Sequence, residues 1–134
     1  ANDGRVVSNF IVQALHGQDI TVYGDGSQTR SFCFVDDIVD GLLRLAAAGS
    51  DAWGPVNLGN PQEITVAALA RRIVALCGSR SALRFMPLPA DDPVRRCPNI
   101  AVARATLAWQ PQIDLDQGLS ATIAWFQQQA GTAR

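Results

Sequence analysis

From Val6 to His16 the apolar residues Val7, Phe10, Ile11, Ala14 and Leu15 recur at helical spacing, which predicts an amphipathic helix ended by Gly17. Ile20-Thr21-Val22-Tyr23 is β-rich, Gly24-Asp25-Gly26-Ser27 has turn composition, and Ser31 to Val35 is β-rich again. A second helix is expected to open at Asp36-Asp37, with Ile38, Val39, Leu42, Leu43 and Ala46 as its apolar face and Gly49-Ser50 as its end. Val56-Asn57-Leu58 suits a short buried strand before a Gly-Asn-Pro loop. Thr65 is placed to cap a third helix with Val66, Leu69, Ala70, Ile73, Val74 and Cys77 on one face, stopped at Gly78. Leu83 to Met86 reads as a strand leading into a loop from Pro87 to Pro98, rich in proline and charge. A short helix over Ala101 to Leu107 and a last one from about Leu115 to Gln129 follow, the latter opened by a capping box of Asp114 with Gln117.

Strands alternating with helices, without internal repeat or low-complexity linker, predict an α/β or α+β chain with one core. The expectation is a single domain over residues 1–134, with 130–134 as a frayed tail. With 134 residues, 48% apolar and 17% charged, the chain falls among globular proteins and is long enough to bury a core. A net charge of −1 gives no basic footprint for nucleic acid, while two or three well-placed arginines would still suffice for a diphosphate. The greasiest stretch, Ile38 to Ala48, is broken by Asp40, Gly41 and Arg44, so no membrane span is expected. The first residues lack the layout of a signal peptide and read as if taken from the middle of a protein. Cys33, Cys77 and Cys97 have no metal-ligand spacing and are expected to be small buried hydrophobes in a reducing cytoplasm.

Each candidate site has a plainer alternative. Gly24 to Thr29 resembles the start of a dinucleotide-binding glycine loop, but a strand follows where a helix N-terminus is needed, so a turn is the better reading. Asp36-Asp37 fits N-capping and the helix dipole better than acid–base work. Asp91-Asp92-Pro93 reads as a turn, His16 as a side chain at a helix C-terminus, and Trp53, Trp109 and Trp125 as core or element-end packing. Arg30 before an apolar strand and Arg95-Arg96 in a loop suit a fork onto phosphate oxygens. The chain has no lysine, and its only tyrosine is Tyr23, which excludes chemistry needing a separate Tyr-x-x-x-Lys pair within it.

Four runs, in order, resemble bacterial and eukaryotic UDP-glucuronate decarboxylases. They are Asn2 to Phe10, Thr21 to Phe32, Gly54 to Pro61 and Leu88 to Pro93, with a further match from Leu119 to Phe126. These enzymes belong to the extended short-chain dehydrogenase/reductase (NAD-dependent epimerase/dehydratase) family. The resemblance implies an α/β chain that is the C-terminal, substrate-binding part of that fold and lacks most of the Rossmann domain. In the family a tyrosine base with a nearby lysine deprotonates the sugar 4-hydroxyl while NAD takes the C4 hydride; the 4-keto acid loses CO₂, and hydride return gives UDP-xylose. By resemblance, Arg30 and Arg96 match the two arginines on the diphosphate. Val22, Tyr23 and Gly24 match the strand end against the uracil, and Arg5 lines the cleft near substrate and cofactor. Asn99 stands where an aspartate is usual, and Phe34 where a tyrosine is common.

These matches imply a UDP-sugar partner, no metal, no catalytic residue in this chain and no NAD held by it alone. Three readings follow: an inactive C-terminal piece of the decarboxylase; a stand-alone module that binds a UDP-sugar or self-associates; or a fragment of a dTDP-glucose 4,6-dehydratase or a sugar-nucleotide epimerase. A surface left by the missing Rossmann domain would favour a homo-oligomer.

Overall fold

The structure, a computed structural model, describes residues 5–49, 54–87 and 95–132, the side chains of 130–132 excepted. Asn2 to Gly4, Ser50, Trp53, Leu88 to Pro93 and the last two residues of the expected tail lie outside the described residues. In order the elements are α1 (Val6–Leu15), β1 (Ile20–Tyr23), β2 (Thr29–Ser31), α2 (Val35–Ala47), β3 (Glu63–Thr65), α3 (Val66–Leu76), β4 (Leu83–Met86), α4 (Ala101–Leu107) and α5 (Leu115–Thr132). β1 pairs in parallel with β4, Ile20 opposite Leu83 and Tyr23 opposite Met86, while β2 pairs with β3. Of the β-rich run from Ser31 to Val35 only Ser31 is strand, at the end of β2, and Val35 already opens α2; β1 and β2, on the two sides of the glycine turn, belong to different sheets. The described residues gather into two compact units, residues 5–29, 64–87 and 119–132 in the first and 30–49, 54–63 and 95–118 in the second.

The first unit packs α1 and α3 on β1 and on each other. Phe10, Ile11 and Ala14 of α1, Ile20 and Val22 of β1, and Leu69, Ala70 and Ile73 of α3 are buried, as are Leu119 and Ile123 of α5. Each fully buried Ile, Leu, Val or Phe side chain contributes about 1.5–3 kcal/mol relative to an exposed one. Local chemistry fixes the ends. Gly17 takes φ +65° after α1, and the Thr65 hydroxyl accepts from Ala68 N at 3.2 Å at the start of α3. Gln13 serves Thr21 twice, donating to its hydroxyl and accepting from its N–H, each at 3.1 Å. Trp125, expected in packing, is instead 55% exposed on α5 and meets Phe126 edge-on at 5.1 Å.

The second unit is built around Trp109, 1% exposed, with Ile100, Ala103 and Leu107 buried beside it and Cys33, Leu45, Val56 and Leu58 against them. Val56 to Leu58 forms no strand. Its burial alternates around an exposed Asn57, whose side-chain amide donates to Asn99 O at 3.2 Å, so it packs without a strand partner among the described residues. α2 reverses the expectation: the predicted face carries Val39, Leu42 and Leu43 at 47, 52 and 66% exposure, whereas Asp37 and Gly41 are buried and Leu45 packs on the Trp109 cluster. A Cβ at Gly41 would lie 2.9 Å from Leu58 and 3.0 Å from the Trp109 ring, so the helix approaches closely only because that position is glycine.

Asp37 is not an N-cap. Phe34 occupies that position without a side-chain bond, and Asp37 turns inward from the first turn of α2. Its carboxylate accepts from Gln112 N at 3.1 Å and Ile113 N at 3.0 Å, and its carbonyl accepts from Trp109 Nε1 at 3.0 Å. Gln117 N to Asp114 Oδ1 at 2.8 Å and Asp114 N to Gln117 Oε1 at 3.3 Å complete the expected capping box of α5. α5 itself continues to Thr132, past the expected end at Gln129. Replacing Asp37 with Asn puts an NH₂ against one of two N–H donors, and leaving that donor unmet costs about 1–3 kcal/mol. Urea denaturation of Asp37→Asn is expected to show a loss in that range; an unchanged midpoint would contradict the staple.

Candidate functional site

The glycine turn is built to finish a fold. Gly24 and Gly26 take φ +72° and +75°. Asp25 Oδ1 accepts from both the N–H and the hydroxyl of Ser27, which holds the Asp25 carboxyl below its ordinary value. Val66 N donates to Gln28 O and Ala67 N to Gly26 O, both at 3.0 Å. With Ala68 N on Thr65, the first N–H groups of α3 are all consumed internally. A Cβ at Gly26 would fall 2.7 Å from that of Ala67. The one glycine-rich turn thus offers no free helix N-terminus to a pyrophosphate. The chain contains no Tyr-x-x-x-Lys pair, and no step is derived through NAD.

In the first unit Val22 is wholly buried and Tyr23 half exposed at the end of β1, where Gly24 N donates to Met86 O at 2.8 Å. Gln28, only 8% exposed, donates to Tyr23 O at 2.7 Å and fixes this strand end; nothing in its spacing marked it. At this strand end Tyr23 is exposed together with Phe85 and Met86 of β4, Gly24 is partly so, and Val22 lies beneath the surface. Arg5, exposed and in extended conformation, sits at the N-cap of α1. His16 closes that helix, its Nδ1 2.7 Å from Val12 O.

In the second unit Arg30 lies on β2, partly buried, and Arg96 is exposed in the segment before α4. The neighbouring Arg95 is committed. Its Nε and Nη2 fork onto the two carboxylate oxygens of Glu63 on β3 at 2.8 and 2.5 Å, which raises its already high pKa. Glu63 had no mark in the sequence pattern; its role appears only once β3 is seen beside this segment. Cys97, expected to be buried, is exposed, with Sγ 3.4 Å from Pro61 O. Asn99 Oδ1 accepts from Ala101 N at 2.9 Å, a task a carboxylate would share, so the acceptor survives the change to an amide. The Phe34 ring lies against Gly118, where a Cβ would come within 3.1 Å. Among the described residues no group of three or more His, Cys, Asp or Glu gathers as a metal site, and no helix is long and apolar enough to cross a membrane.

An α/β chain with these motifs in this order belongs to the NAD dependent epimerase/dehydratase family, whose model matches residues 1–59. Within that family it is similar to UDP-glucuronic acid decarboxylase 1 of Danio rerio, 52% identical over 125 residues that make up 93% of this chain and 29% of the relative. The fold matches that of the epimerase Mth375 of Methanothermobacter thermautotrophicus, with TM-score 0.91 at 31% identity over 96% of this chain and 38% of the other. It also matches the Bordetella bronchiseptica enzyme WbmF in complex with NAD+ and UDP, with TM-score 0.83 at 30% identity over 96% and 38%. The chain thus spans about a third of the length of these relatives.

Burial, and secondarily the Asp37 carboxylate, push the Cys33 thiol up to about 11 from an ordinary value of 9.0. The fold therefore favours the neutral thiol: this contribution is fully present below pH 9.0 and is lost as pH rises through about 11. The denaturation midpoint is expected to fall over that window more steeply in the wild-type chain than in Cys33→Ala. Parallel profiles for the two would contradict the assignment.

Proposed function

We propose that this chain is the C-terminal, nucleotide-sugar-holding portion of an NAD-dependent UDP-glucuronate decarboxylase, one that converts UDP-glucuronate to UDP-xylose and CO₂ in the cytoplasm, and that by itself it binds without catalysing. The observation that carries this is the 52% identity to a decarboxylase across 93% of the chain, in a chain with no lysine. Arg30 and Arg96 receive the diphosphate as charge-assisted forks, Tyr23 and Gly24 lie against the nucleobase with Val22 behind them, and Arg5 faces the sugar and cofactor end. The whole of residues 1–134 serves as one binding domain. Each arginine fork contributes about 1.5–3 kcal/mol, enough to account for most of the anchoring of the nucleotide.

The test is calorimetric titration of UDP into the chain. Saturable binding is expected, weakened by tenfold or more, about 1.4 kcal/mol, in Arg30→Ala and again in Arg96→Ala. No heat beyond dilution would sink the binding role.

The outer face of α2 favours a second reading, that the chain self-associates when alone. Val35, Val39, Leu42 and Leu43 form an apolar stripe 47–66% exposed, which water disfavours and a second copy would cover. Sedimentation at micromolar concentration is expected to show a dimer or larger species that Leu43→Glu converts to monomer. A monomeric wild-type chain would exclude it.

A further inference from the structure

We propose that Glu63 is a positioning residue for the diphosphate: it clamps Arg95 so that Arg96, next in the chain, is held out toward the phosphates at a fixed spacing from Arg30. The inference rests on the reading of Arg30 and Arg96 given above and adds to it the element that sets their geometry.

Two adjacent arginines before α4 have different fates. One edge of the Arg95 guanidinium, Nε with Nη2, forks onto Glu63, whose side chain is only 23% accessible while that of Arg95 is 69% accessible. Two residues on, Cys97 Sγ reaches Pro61 O, two residues before Glu63. Arg95 with 63 and Cys97 with 61 run in opposite directions, as in paired extended segments, and Arg95 itself lies in a β-bridge. Side chains alternate in extended chain, so with Arg95 and Cys97 both turned to residues 61–63, Arg96 is turned the other way. Glu63 also belongs to β3, which pairs with β2, the strand that carries Arg30. One carboxylate therefore ties the segment bearing Arg96 to the ribbon bearing Arg30. It also neutralises the nearer arginine, so the diphosphate meets guanidinium groups at defined places and not an unselective cluster of positive charge. Holding a flexible arginine in place before binding removes part of the ordering cost that would otherwise oppose the ligand.

UDP, inorganic pyrophosphate and uridine are titrated against the wild-type chain, Glu63→Gln, Arg96→Ala and the double variant. Glu63→Gln is expected to weaken UDP and pyrophosphate by about three- to tenfold, the scale of one side chain losing its preorganisation, and to leave uridine unchanged. In the Arg96→Ala background Glu63→Gln should add little, because Glu63 acts through Arg96. Equal weakening of uridine, or fully additive losses, would mean a general structural role and overturn the proposal. Unchanged UDP binding in Glu63→Gln, with Arg96→Ala still weak, would overturn it and leave the diphosphate reading intact, whereas a wild-type chain that binds neither UDP nor pyrophosphate would overturn both. Without ligand, ¹⁵N relaxation should find Arg95 Nε–H rigid in the wild-type chain and mobile in Glu63→Gln. Mobility equal to that of the exposed Arg104 in the wild-type chain would show that no clamp exists.

Discussion

Three hydrogen bonds converge on Asp37, and the second unit is organised by them. The carboxylate takes the N–H groups of Gln112 and Ile113, and the carbonyl takes the indole N–H of Trp109. A buried indole needs an acceptor for its one donor, and a buried carboxylate needs donors for its oxygens; the Asp37 carbonyl meets the first need and the N–H groups of Gln112 and Ile113 meet the second, at one turn of α2. Once Asp37 is committed inward, helical spacing commits Gly41 and Leu45 to the same side. Trp109 then packs where Gly41 leaves room, and Ile100, Ala103 and Leu107 close around it. Arg44, on the same helix, donates to Ala108 O at 3.0 Å and pairs with Asp40, holding the left-handed C-cap of α4 at φ +47°. The outward display of Val39, Leu42 and Leu43 is the geometric consequence of this inward commitment.

That consequence explains why helical periodicity assigns the wrong face of α2 to the core but the right faces of α1 and α3. Periodicity reports which face of a helix is apolar, and it assigns that face to a core because most apolar faces have one nearby. α1 and α3 follow the rule, and so do the Thr65 cap and the Asp114–Gln117 box, because each depends only on residues within a few positions. The α2 face depends instead on Asp37 meeting residues more than seventy positions away, and no local pattern contains that information. Val56 to Leu58 departs for a related reason: an apolar run predicts burial, which Val56 and Leu58 reach in part, but a strand also needs a pairing edge. Trp125 and Cys97 are exposed although their residue types favour interiors; composition sets only a tendency.

The candidate site was legible in a different sense. Spacing gave Arg30, Arg95 and Arg96 as three equivalent cations, and only resemblance distinguished Arg30 and Arg96 from Arg95. Geometry adds that Arg95 is bonded to Glu63, a tie that spacing does not reveal. The glycine turn shows the opposite case, where sequence logic sufficed. A phosphate loop requires unoccupied N–H groups at a helix start, a strand follows this turn in the sequence, and the nearby helix start has its N–H groups filled by Gly26, Gln28 and Thr65.

On the proposed reading, holding and transforming the nucleotide sugar are separable tasks with different structural needs. Holding a diphosphate asks for guanidinium groups fixed before the ligand arrives, and a tie such as the Glu63 fork on Arg95 can set their place within the second unit. Transforming the sugar asks for a general base and a hydride carrier placed together, and a chain without lysine cannot supply the base pair this family's chemistry implies. The same residues that make the arginines rigid therefore make binding testable apart from turnover. Affinity for the diphosphate should follow Glu63, Arg30 and Arg96 whether or not any chemistry takes place.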